Sequence, residues 1–144
     1  MIMTVMNRYN VMWLVALGFL AGLLVPVATA IQTHPPEPHR HAEGQALENP
    51  VPSSSDSVAT GRQRYVFMCR ECHGNRGIGD GDMAHAGGNM PDFTDDVWLH
   101  GPSDGEIFLV IRDGVTADMQ PYSNRMNDED IWHLVNYLKT LSGR

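Results

Sequence analysis

The chain has 144 residues, with 10 Lys and Arg against 17 Asp and Glu, a net charge of −7, nine prolines, nine methionines and two cysteines. That length suits one domain of ordinary size, and no segment repeats. The acidic balance leaves no basic face to meet phosphates and argues against nucleic acid as a partner.

Residues 11–31, VMWLVALGFLAGLLVPVATAI, form the one long run without a charged side chain. At ~1.5 Å per helical residue the run can span a bilayer core of ~30 Å. It also has the parts of a secretory signal: Arg8 upstream, an apolar stretch from Val11 to Val25, a helix-breaking Pro26, and small residues from Ala28 to Ala30. Both readings export the rest of the chain. The expectation is a transmembrane anchor over residues 1–31 with the remainder on the extracytoplasmic, periplasmic side; the alternative is a soluble periplasmic product cut after Ala30.

Residues 32–57 hold five prolines, four serines and hardly a large apolar side chain. Such a stretch cannot bury enough surface to offset the entropy of ordering, so it reads as a flexible, extended linker. His34, His39 and His41 lie in it; imidazole suits copper and zinc, but nothing in a solvated tract organises the ligands in advance.

A compact piece remains from Val58 to Arg144. Fewer than ninety residues are marginal for a hydrophobic core alone, which an embedded cofactor would help to explain. Three helices are expected. The first, from about Ser57 to Arg70, places Val58, Gly61, Tyr65, Met68 and Cys69 on one face. The second starts at Ser103 or Asp104, turns Ile107, Val110 and Ile111 inward, and stops at Gly114. The third is capped by Asn127, has Asp128, Glu129 and Asp130 in its first turn, and carries the stripe Ile131, Leu134, Val135, Leu138, Leu141. Between the first two lies a long loop rich in glycine and aspartate; a loop of that length in so small a domain signals function.

Both cysteines fall in CRECH, Cys69 to His73. A thioredoxin-like pair would open a helix after a strand, whereas this one closes a helix with no βαβ pattern around it. A structural zinc site needs four ligands, and no third cysteine or paired histidines accompany these two. A 69–72 disulfide would close too small a loop to constrain the unfolded chain much. Haem attachment uses every element: two thioethers to the porphyrin from Cys69 and Cys72, and His73 held beneath the iron as proximal ligand.

Residues 58–141 resemble a class I c-type cytochrome domain of the small bacterial single-haem group. The likeness is carried by VATGRQRYVFMCRECHGNRGIGDG, then PDF, DGEIFLVIRDGV, MQPY and the ending MNDEDIWHLVNYLKTL. It implies an all-α fold of three to four helices around one covalent haem c, with the terminal helices crossing near a glycine and an aromatic side chain; Gly61, Tyr65 and Tyr137 fit those places. Candidates for the sixth iron ligand are Met83, Met90, Met119, Met126, His85 and His100. The resemblance favours Met119, in the loop between the second and third helices, although Gln120 stands where the family has a proline directly after its methionine. Met126, just before a helix cap, reads as a core staple. The resemblance also nominates Pro91, whose carbonyl would orient the His73 imidazole. Trp98, Arg112 and Tyr122 are candidate donors to haem propionates, and His133 reads as a surface residue.

No nucleophile, general base or substrate cleft is recognisable, so no enzyme activity is expected of the chain by itself. The expected function is a membrane-tethered, single-haem electron carrier moving between redox partner proteins that present basic docking faces. The same-class alternative is a cytochrome subunit fixed in a larger respiratory assembly. The different-class alternative is a gas-binding haem sensor with an open distal site.

Overall fold

The computed structural model describes residues 37–84 and 90–142. The anchor or signal expected at 11–31 and the candidate ligand His85 lie outside these residues. Among those described there is no strand, and no helix is long and apolar enough to cross a membrane.

Five helices occur among the described residues, in the order α1 (Ala42–Gln45), α2 (Ser55–Met68), α3 (Arg70–His73), α4 (Asp104–Asp113) and α5 (Asp128–Leu141). The expected all-α class is the observed one. Each longer helix starts on a side-chain cap: Ser54 accepts from the Ser57 amide, Ser103 from the Glu106 amide and Asn127 from the Asp130 amide. At Ser103 the cap is reciprocal, because the Glu106 side chain accepts from the Ser103 amide in return.

The main packing is α2 against α5, crossing at Gly61. A Cβ at this position would run into the His133 carbonyl and lie 2.9 Å from the Tyr137 Cβ, so only glycine lets the backbones approach this closely. Tyr65 is 1 % exposed and meets Tyr137 at 5.3 Å between ring centroids. Its hydroxyl donates to the Gly74 carbonyl at 2.7 Å, tying α2 to the turn after α3. The remaining core is Ile107, Phe108, Ile111, Met126, Ile131, Trp132, Leu134, Val135 and Leu138, with Phe108 and Trp132 stacked at 3.9 Å. Met126 is thus a core residue. His133 is not a plain surface residue: its Nδ1 bonds the Ser57 hydroxyl at 2.8 Å beside the helix crossing.

The linker expected at 32–57 is corrected over its described part. From Glu37 onward the segment is a strap lying on the domain: the His39 amide donates to the Leu99 carbonyl, α1 packs on α4, and Asn49 bonds Asn136 at 2.9 Å. Asn136 in turn donates to the Val51 carbonyl and the Ser57 hydroxyl. The segment has few apolar side chains to bury, and it is held by hydrogen bonds instead. Its anchor is Glu106, a fully buried carboxylate. One oxygen accepts from Arg40 Nε at 2.7 Å and the His41 amide at 2.9 Å; the other accepts from the Ser103 hydroxyl at 2.7 Å and amide at 3.1 Å. Burial alone would raise the pKa of this carboxyl, but the Arg40, Ser103 and His41 donors together hold it down at about 2.

Candidate functional site

The first expected helix is interrupted. Its hydrogen bonding closes on Cys69, whose amide still reaches the Tyr65 carbonyl, but Cys69 itself leaves helical geometry at φ −120°, ψ −33°. The single turn α3 comes next, carrying Cys72 and His73, and ends at Gly74 with φ 79°. The His73 amide donates to the Cys69 carbonyl at 2.9 Å, and His73 is 8 % exposed. This turn therefore presents two thiols and an imidazole together.

The imidazole is supported by aromatic stacking. His73 stacks on Phe93 at 4.7 Å, and Phe93 stacks on Trp98 at 5.8 Å. Phe93 is fixed by its amide, which donates to the Gly77 carbonyl at 2.7 Å. Burial pushes the His73 pKa down to about 4, so the imidazole is neutral, with a lone pair available for a metal. Its Nδ1 is buried without a hydrogen-bond partner. The Pro91 carbonyl expected to accept from that nitrogen is therefore not bonded to it, although Pro91 does line the same cavity. Burial, with Cys72 adding to it, pushes the Cys69 thiol up to about 12. A thiol held so firmly protonated is a poor redox nucleophile, which argues against a thioredoxin-like pair. The two thiols are free rather than joined.

Cys69, Cys72 and His73 open into a cavity of about 270 Å³ with a largely apolar wall. Ile107, Val110, Ile111 and Leu138 line it from α4 and α5, and Tyr122 and Trp98 also line it. Tyr122 is held by a hydrogen bond from its hydroxyl to the Met68 carbonyl at 2.9 Å. Arg112 is not in the wall; its guanidinium pairs with Asp113 at 2.8 Å and lies over the Phe108 ring.

Met68, Met83, Met90 and Met119 line the cavity. Met83 and Met90 are tied to the segment that carries His73. The Met83 amide donates to the Glu71 carbonyl, and Met90 packs on Gly79, whose own amide bonds the His73 carbonyl. Met119 arrives from the separate loop after α4. That loop is closed on itself: the Met119 amide donates to the Thr116 hydroxyl at 2.9 Å, and the Met119 carbonyl accepts from the Val115 amide at 3.0 Å. Gly114, at φ 72°, lets the chain pass against Met119 and Pro121. His100 also lines the cavity.

These residues fit the haem expected from CRECH. Two thiols one helical turn apart line the cavity, a buried neutral imidazole lies beside them, and thioethers enter from two segments of an apolar wall. Sequence reasoning missed Phe93 as the support of the imidazole, although its motif, PDF, was legible, and missed Met68 as a wall residue.

Among known proteins, residues 56–138 fit the family model of cytochrome c oxidase, cbb3-type, subunit III. Of curated relatives, the cbb3-type cytochrome c oxidase subunit FixP of Bradyrhizobium diazoefficiens is 28% identical over 86 residues, covering 60% of this chain and 28% of the relative. The subunit CcoP of Rubrivivax gelatinosus is 28% identical over 88 residues, covering 60% and 27%. The chain thus spans less than a third of the length of these relatives. Of solved structures, a chain of the reducing HAO-like protein complex of Kuenenia stuttgartiensis matches with a TM-score of 0.59 at 25% identity, covering 66% of this chain and 49% of that one. Cytochrome CL of Methylophaga aminisulfidivorans matches in fold with a TM-score of 0.52 at 22% identity, covering 65% and 59%.

Proposed function

The chain belongs to the family of cbb3-type cytochrome c oxidase subunit III, a cytochrome c family, and from that premise we propose that it carries single electrons through one covalent haem c on the extracytoplasmic side of a membrane. The observation that supports this most is the turn from Cys69 to His73, which brings both thiols and a buried neutral imidazole into the wall of one apolar cavity.

When bound, haem supplies one-electron redox chemistry at its iron. The protein's share is placement. Cys69 and Cys72 would hold the porphyrin edge, and His73, braced by Phe93, would ligate the metal. Met119 would offer its thioether to the same metal, because it reaches the cavity from a segment other than the one bearing His73. The apolar wall from α4 and α5 would lower the local dielectric around any charge change. The run 11–31 would tether the domain at the membrane. The chain is proposed to act without a substrate of its own, passing electrons between partner proteins. The match to oxidase subunits favours a fixed place in a respiratory assembly over free diffusion.

Maturation in cells with a haem-attachment system, followed by intact mass measurement, tests this. One added haem that survives acid acetone extraction and is lost in Cys69→Ser with Cys72→Ser is expected. Zinc in place of haem, or a five-coordinate iron that binds gas readily, would overturn it.

A further inference from the structure

Three histidines that play no part in the proposed electron path come together where the strap meets the cavity wall. His39 and His41 lie in the strap and His100 in the loop before α4, and each offers a ring nitrogen within 4.8 Å of the others. We propose that His39, His41 and His100 form a second metal site, taking one divalent cation of the zinc type on three imidazole nitrogens.

The distances carry the argument. His100 Nδ1 donates a hydrogen bond to His39 Nε2 at 3.3 Å, and a bound ion would displace the proton between them while the His100 ring keeps its other nitrogen protonated. Two nitrogens bound tetrahedrally at about 2.0–2.1 Å from a zinc ion stand about 3.3 Å from each other, so this edge of the site already has its bound length. The His41 nitrogen lies within 4.8 Å of the other two and must close in to complete the triangle. His39 Nδ1 faces the Glu37 carbonyl at 2.8 Å, which places the ring proton there and leaves Nε2 with a lone pair for metal. His41 Nδ1 has the Glu43 carboxylate 3.8 Å away, an acidic neighbour that offsets the charge of a dication.

Advance organisation, the feature a solvated histidine tract lacks, is supplied by the fold. The His39 amide is bonded to the Leu99 carbonyl, next to His100, and the His41 amide is bonded to the buried Glu106 carboxylate. Both strap ligands are therefore fixed at the backbone before any ion arrives, which reduces the ordering cost of binding. Arg40, the cation between them in sequence, is engaged by Glu106. Three imidazoles suit zinc and copper and suit magnesium or calcium poorly. Because His100 belongs to the cavity wall, the ion would pin the strap to that wall.

The test uses the haem-loaded full chain, freed of metal by chelation and titrated with zinc chloride by calorimetry, in the wild type and in His39→Gln and His41→Gln. One equivalent of zinc is expected, with each substitution weakening it by more than about 10–100-fold, the loss usual for partners one shell further out. Zinc should also raise the melting temperature of the wild type and leave His39→Gln unmoved, and copper(II) bound in place of zinc should show three nitrogens by electron paramagnetic resonance. An unchanged Soret band in His39→Gln separates loss of this site from damage to the haem. Absence of zinc uptake by the wild type, or equal uptake by both variants, which would assign the ion to histidines elsewhere in the chain, overturns the proposal.

Discussion

Replacing Glu106 by glutamine keeps the shape of the side chain and removes its charge, so the effect can be worked out from the five hydrogen bonds its carboxylate accepts. The oxygen facing Arg40 and the His41 amide can be kept as the glutamine carbonyl. The other oxygen becomes an NH2 group facing the Ser103 hydroxyl and amide. The hydroxyl can turn to accept, but the amide cannot. One donor is then left unpaired in a fully buried place, at about 1–3 kcal/mol, and the remaining bonds lose the strength of a charged acceptor, at about 1 kcal/mol more. A loss of about 2–4 kcal/mol in unfolding free energy is expected from urea denaturation monitored by circular dichroism. The pH dependence gives a second reading. The folded-state pKa of about 2 lies below the ordinary glutamate value, so this stabilisation is complete above about pH 4.5 and is lost as pH falls through about 2. Wild-type stability should fall with acid in that window more steeply than that of Glu106→Gln. Equal stability at neutral pH and the same acid midpoint in both proteins would refute the reasoning.

Met119→Ala should abolish the weak far-red sulfur-to-iron absorption, open the ferrous iron to carbon monoxide and lower the potential, since a soft ligand that favours ferrous iron is lost. Met126→Ala, in the 6 % exposed core position beside the α5 cap, should cost about 2–5 kcal/mol of stability and leave the same absorption intact. The part of the chain from Val58 carries 8 Lys and Arg against 13 Asp and Glu, a net charge of −5 before haem propionates. Association with a partner that has a basic face should therefore slow as salt rises in stopped-flow measurements, and a flat or rising rate would count against such a partner.

The helices were legible because each has its own signal in sequence. Asn127 and Ser103 announce caps, Gly114 ends α4, and the α5 stripe has the helical period. The attachment turn was legible because CRECH names its chemistry. What escaped was polar and long-range. Ser103 to Glu106 has the spacing of a capping box, but nothing local says that the same carboxylate also receives Arg40 and the His41 amide from more than sixty positions upstream. Composition therefore made residues 37–54 look free, when their order comes from hydrogen bonds rather than apolar burial. Phe93 under His73 is a similar case, since twenty residues separate two rings that stack. The histidines of the strap show both sides: His39 and His41 were visible as neighbours, whereas His100 joins them only through the fold.

The strap also changes where the domain begins. Val58 is a sensible boundary if the core alone is counted, because the apolar stripes start there. Yet Ser54 caps α2, Val51 and Asn49 engage Asn136 on α5, and Arg40 with His41 satisfies the carboxylate buried at the head of α4. A chain starting at Val58 would leave Glu106 buried with the donors Arg40, His41 and Gln45 gone, and an uncompensated buried charge is among the costlier defects a small domain can carry. The same helices that close the core, α4 and α5, also line the cavity, so Ile107, Ile111 and Leu138 have one side packed in protein and one side facing that space. The strap fixes α4 from outside and a group in the cavity would fill it from inside. A domain with so few residues to bury is held at both faces of that helix.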